Sequence, residues 1–223
     1  MGTTQMFIGL SMINDYYKEK LNVFVALAPP TRISNTKSVP LQMIAAHIEP
    51  MELLVVKLGM WNMFGPDYAI NNAVADFCDA QLDFCVAALK VFTDGDPSVD
   101  NFDRVKTYLT HIPSGSGYKN QFHFAQIINT AKFARYDHGA VENMKRYGSR
   151  TPPEYNLNGI NGVPIALFGG DSDLLVSVTD VDWLAEQLGE KPIWYKQYPL
   201  GHMSFAIAKD MTWFTEDVLN LVN

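Results

Sequence analysis

Two hydrophobic rhythms run along the chain. Residues 2–18 place Met6, Phe7, Leu10, Ile13 and Tyr17 at steps of three and four, which predicts one helix. Residues 22–28, NVFVALA, are an almost unbroken apolar run stopped by Pro29-Pro30, the pattern of a strand buried on both faces. Helical spacing then dominates from Thr31 to about Tyr155, over 41–48, 51–63, 68–91 and 120–136. Pro40, Pro50, Gly65-Pro66, the Asp94–Pro97 turn and residues 113–117 punctuate it. After Pro152-Pro153, residues 163–168 predict a second buried strand, 181–188 a helix, 193–198 a third strand and 205–222 a final helix. No internal repeat or low-complexity tract interrupts this order. Strand, helix and strand in succession give an α/β chain with a parallel sheet. Residues 1–30 and 156–223 are expected to form the core, and 31–155 a helical cap inserted between two of its strands.

Composition narrows the picture. The chain has 223 residues, enough for one or two domains, and 48% of them are hydrophobic. Lys and Arg number 17 against 24 Asp and Glu, a net charge of −7 without a basic cluster. Nucleic-acid binding needs a basic face and is not expected. The 13 Phe, 10 Tyr, 4 Trp and 10 Met supply much adaptable apolar surface, which an ordinary core would also explain. The densest apolar stretch, 51–64, is too short to span a bilayer and is broken by Lys57. No signal-peptide pattern and no Asn-x-Ser/Thr sequon is present, and Met1-Gly2 lacks the Ser or Thr at position 6 of a myristoylation motif. Cys78 and Cys85 do not decide the redox compartment, so localisation is open.

The candidate chemistry lies at strand ends. Asp173 follows the second predicted strand and His202 the third, each in a loop with glycine (Gly169, Gly170, Gly201). In open parallel sheets, functional residues collect at that edge. Strand–Asp–helix–strand–His–helix is the second half of a nucleophile–acid–base triad in the order Ser…Asp…His. Asp173 would orient one imidazole nitrogen and the other would act as general base. Against this stand plainer roles: Asp as a turn or cap residue, His as a surface group. No G-x-S-x-G pentapeptide occurs, yet Met1-Gly2, opening a helix of small residues, has the form of its last two positions. The nucleophile is then expected just before Met1. The acidic run Asp94, Asp96, Asp100, Asp103 lacks the glycine and glutamate of a calcium loop and reads as a solvated turn. The five histidines, His47, His111, His123, His138 and His202, show no metal-ligand spacing. No metal or cofactor is expected.

These motifs together resemble the gastric and lysosomal acid lipases, a family of the α/β-hydrolase fold, across essentially the whole chain. Met1-Gly-Thr-Thr4 resembles the tail of Gly-His-Ser-x-Gly-Thr-Thr, and Phe24–Pro29 the strand leading into the cap. His111-Ile-Pro-Ser-Gly-Ser116 with Asn120, His123 and Gln126 is similar to H-x-P-A-G-T-S…N-x-x-H-x-x-Q. Lys132-Phe133 with Tyr136-Asp137 and Gly139, and Pro152-Pro153 with Tyr155-Asn156, resemble K-F-x-x-Y-D-x-G and P-P-x-Y-N. Gly169-Gly170 with Asp173-Leu174-Leu175 matches the acid segment, and His202 falls where the base belongs. The resemblance implies a partial α/β-hydrolase fold. It implies hydrolysis of triacylglycerols or steryl esters through an acyl-serine, and secretion or a lysosomal destination. It places one oxyanion amide at Met1. The family's N-terminal half, with its further strands, nucleophilic Ser and other oxyanion donor, has no counterpart in these residues. The chain alone is therefore expected to be inactive. The rival expectation is a lipase-derived protein that binds lipid or a partner without catalysis, with lipid-surface contact through the cap.

The cysteines bear on the cap. In an unbroken helix, residues seven apart lie about 10.5 Å apart along the axis, beyond the roughly 7 Å that a disulfide spans between Cα atoms. Cys78 and Cys85 are expected to be bridged only if the helix breaks near Asp79–Gln81. Otherwise they are free thiols on an apolar face with Val74, Phe77 and Leu82. The acid-lipase resemblance implies the bridge.

Overall fold

The structure, a computed structural model, describes residues 1–63, 65, 67–112 and 114–222. Pro66, from the predicted punctuation, and Pro113, from the H-x-P motif, lie outside the described residues. In chain order the elements are α1 (Gly2–Met12), α2 (Asn14–Lys18), β1 (Phe24–Leu27), α3 (Val39–Ala46) and α4 (Ile48–Lys57). Then come β2 (Asn62–Met63), α5 (Tyr68–Ala80), α6 (Leu82–Phe92), α7 (Val105–His111), β3 (Ser116–Gly117), α8 (Tyr118–Thr130) and α9 (Ala140–Tyr147). The chain finishes with β4 (Ile165–Gly170), α10 (Val178–Gln187), β5 (Trp194–Tyr198), α11 (Ser204–Ile207), a π-helical turn (Trp213–Val218) and α12 (Leu219–Val222).

The main sheet is parallel, in the order β1-β4-β5, with Ala26 opposite Leu167 and Phe168 opposite Lys196. All six residues of β4 are buried, as an apolar run at the centre of a parallel sheet requires. β1 is only partly buried. The expectation of two covered faces fails there because β1 is an edge strand, paired only to β4 among the described residues. Phe7 and Leu10 of α1 pack with Ala26, Ile165 and Leu167 of the sheet and Val181 and Leu184 of α10. Phe168, Tyr198, Phe205 and Trp213 form a second cluster with Ala166, the Phe168 and Tyr198 rings stacked 5.4 Å apart. Each fully buried large side chain contributes roughly 1.5–3 kcal/mol by leaving water.

Three predicted helices are divided and one is cut short. The 2–18 helix breaks at Ile13, where Asn14 exchanges hydrogen bonds with the backbone of Asn161 (2.9 and 3.3 Å). The 68–91 helix breaks at Gln81, and Cys78 and Cys85 are joined across the break with Cα atoms 5.7 Å apart. Beyond Thr130 the predicted helix gives way to a loop at left-handed Ala131. The 205–222 helix is interrupted after Ile207, because the backbone there turns to residues 99–101 instead: Lys209 N–H donates to the Val99 carbonyl, and Asn101 N–H to that of Ile207. Sequence reading missed α7, α9 and the short β2–β3 ladder.

Several motif residues turn out to be scaffold. Gln126 both donates to the Asp137 carbonyl and accepts its amide (2.9 and 2.8 Å). His123 Nε2 bonds the Ala134 carbonyl at 2.8 Å, and burial holds its pKa below the usual range. With Asn120 bonded to Ser116 (3.1 Å), one face of α8 ties down the loops on either side of it.

Candidate active site

β4 and β5 run side by side, so the loops at their C-terminal ends emerge together. Asp171 N–H donates to the Tyr198 carbonyl and Ser172 N–H to that of Leu200 (2.8 and 3.1 Å). The approach is close: a Cβ on Gly170 would sit 2.4 Å from the Leu200 oxygen, so only glycine fits. This pairing brings the two predicted residues together. His202 Nδ1 lies 2.8 Å from Asp173 Oδ2. The other carboxylate oxygen accepts the Leu175 and Val176 amides, both at 2.8 Å. The Asp173 side chain is wholly buried, whereas that of His202 is 24% exposed. A buried, doubly anchored carboxylate therefore grips one side of the ring. Nε2 has no hydrogen-bond partner among the described residues and is free to exchange a proton with a substrate group.

Met1 stands at the entrance of α1, half exposed. The start of that helix lies at the same sheet edge: the Thr4 hydroxyl donates to the Pro30 carbonyl at 2.7 Å, just past the C-terminal end of β1. Cys78 and Cys85 lie in the helical stretch and take no part in this edge.

One expectation is overturned. The Asp94–Asp103 run is not a solvated turn. Asp94 and Asp100 have no exposed surface, and only their neighbours face water. The cause is tertiary pairing of this stretch with residues 172–174 and 207–209. Asp94 accepts bonds from Thr93, Met203 and Ser204. Burial still raises its pKa, with those bonds and nearby His202 working against the rise. The Asp100 carboxylate makes no hydrogen bond, and burial pushes it up to about 6, the Ser204 hydroxyl opposing and the Asp94 charge assisting. Sequence reading missed both because their partners lie some hundred residues away and no local pattern announces them. Among the described residues no cluster of metal-ligating side chains occurs.

No protein-family model matches the chain. Curated proteins do. It is 35% identical to gastric triacylglycerol lipase of Bos taurus over 214 residues, covering 94% of this chain and 52% of that protein. It is 31% identical to human lipase member K over 215 residues, with the same two shares, and 30% identical to lipase lipl-3 of Caenorhabditis elegans over 189 residues. The chain is acid lipase-like. This acid lipase-like chain spans about half the length of the curated relatives it matches. Its parallel sheet flanked by helices is consistent with a partial α/β-hydrolase fold.

Proposed function

We propose that these residues form the acid–base half of a lipase that hydrolyses triacylglycerols or steryl esters through a Ser-Asp-His triad. The observation that carries the reading is the 2.8 Å contact between His202 and a buried Asp173, at the C-terminal edge of a parallel sheet. Asp173 fixes the tautomer in which Nδ1 carries the proton. Nε2 then takes the proton of a serine hydroxyl as it attacks the ester carbonyl, and returns it to the leaving alcohol. A water molecule repeats the cycle and releases the fatty acid. The serine belongs immediately ahead of Met1, on the strand-to-helix turn that leads into α1, and the Met1 amide belongs in the oxyanion hole. Support comes from the position of α1, whose first turn touches the chain just beyond β1.

The cap supports a lipid substrate. Met43, Leu53, Leu54, Leu58, Trp61 and Phe84 are all well exposed. No single helix among the described residues is long and apolar enough to cross a membrane; α3 and α4 together carry the needed length and composition but are bent by 87°. Such a surface suits transient contact with a lipid interface. Secretion or a lysosomal destination fits that reading.

The test is hydrolysis of tributyrin and a cholesteryl ester by the longer chain with its upstream coding segment, and by residues 1–223 alone. The longer chain should turn over, with His202→Ala or loss of the upstream serine lowering kcat by roughly 10⁴–10⁶-fold. Residues 1–223 alone should show no turnover above background. Turnover by the short chain, lost on His202→Ala, would refute the missing serine. Lipid binding by a longer chain without any turnover would favour the non-catalytic alternative.

A further inference from the structure

A third carboxylate, which the triad does not use, joins the acid loop to the base loop. Asp94 lies on a stretch that pairs antiparallel with the acid loop. Gly95 N–H donates to the Ser172 carbonyl at 2.7 Å, and Leu174 N–H to that of Thr93 at 3.0 Å. From this platform the side chain reaches across to the base loop. Its Oδ1 accepts the Met203 amide at 2.9 Å, and the Ser204 amide and hydroxyl, each at 3.4 Å. Ser204 Oγ in turn accepts the Gly201 amide at 3.0 Å. The residues flanking His202 on both sides are thus tied to one carboxylate, directly or through Ser204. Gly201 completes the fit, since a Cβ there would sit 1.8 Å from Asp94 Oδ1.

We propose that Asp94 is a positioning residue for His202, holding the base loop against the acid loop. The inference rests on the reading of Asp173 and His202 as the acid–base pair. A buried carboxylate is a costly way to satisfy two amides, because desolvating a charge costs several kcal/mol. Asp94 fixes the backbone on which the ring is mounted. That support acts on the step in which His202 accepts a proton. The other charged groups around this loop are Asp173 on the acid loop, and Asp100 with Lys209 beyond it.

Three variants of the full active chain test this. Asp94→Asn keeps an oxygen for the Met203 amide and nearly the same volume, so it should fold. Its kcat and KM should stay within a few-fold of wild type, because the amides of the base loop keep their acceptor. Asp94→Ala removes the clamp. Its kcat should fall by about 10²-fold with KM unchanged, as expected when a reacting group drifts by about 1 Å. Gly201→Ala pushes the same loop from the other side and should mimic Asp94→Ala. Unchanged kcat of Asp94→Ala per folded molecule, or Asp94→Asn as impaired as Asp94→Ala, would overturn the proposal. His202→Ala is the control that separates the two readings. If it abolishes turnover while the Asp94 variants behave as wild type, only Asp94's role fails. If it leaves turnover intact, the acid–base pair fails as well.

Discussion

Asp100 shows how a single residue can hold stability hostage to pH. Both carboxylate oxygens are buried without a hydrogen bond, and the group is pushed from 3.8 up to about 6. The native state therefore keeps the proton to higher pH than the unfolded chain does. Its stabilising contribution is fully present below about pH 4 and is lost as pH rises through about 6, a swing of roughly 3 kcal/mol. Asp94 works in the same direction, and Asp96 and Lys209 are the remaining charges that act on Asp100, with opposite signs. Asp100→Asn, neutral and of equal shape, should flatten the dependence of Tm on pH between 4 and 7 and raise Tm at pH 7. Thermal unfolding by circular dichroism across that range checks it; parallel curves for the two proteins would show that Asp100 does not titrate there. The contrast with Asp173 and His202 explains what the sequence could reveal. Those two sit where any parallel sheet gathers its chemistry, one step past a strand. Asp94 and Asp100 owe their burial to partners that only the folded chain brings near.

Among the elements, the strands were legible because an apolar run between turn residues admits few other readings. Helix boundaries were less so. Spacing reports a face, and two short helices can share it across a kink, as α5 and α6 do at Gln81. The Cys78–Cys85 link closes that kink, with Phe77 and Phe84 edge-to-face beside it at 5.6 Å. Closing so short a loop contributes about 2–3 kcal/mol on the chain-entropy account. Reduction should therefore lower the unfolding temperature of the cap while leaving the Asp173–His202 edge in place. Limited proteolysis with and without reductant should show new cuts within 68–92. Identical cleavage patterns would mean that packing alone holds the pair.

At the scale of the whole molecule, the three parallel strands and the long helical stretch were readable from their order. The contacts between them were not. Residues 36–38 bond the Leu174 carbonyl, and 93–101 pair with both the acid loop and the chain after α11. The helical stretch thus braces the Asp173 and His202 loops, and it also carries an exposed apolar face. On that face, Leu54→Glu together with Leu58→Glu should reduce partitioning onto a zwitterionic lipid emulsion at least tenfold, from two apolar groups withheld from the interface. Tm should hardly change, since both side chains are more than half exposed. Emulsion flotation measures it; undiminished binding would place the contact elsewhere.

The tie between Asp94 and Met203 spans 109 positions of chain. At equilibrium such a detour is mild, because loop-closure entropy grows only with the logarithm of length, about 2 kcal/mol more than for a ten-residue loop. In time it is severe, since distant pairings form last. In a chain emerging from the ribosome, the stretch from Thr93 to Asn101 is made long before the segments that it must pair with exist. Competence thus arrives as a late click, when the segment around residues 201–209 has been made and the base loop finds its seat.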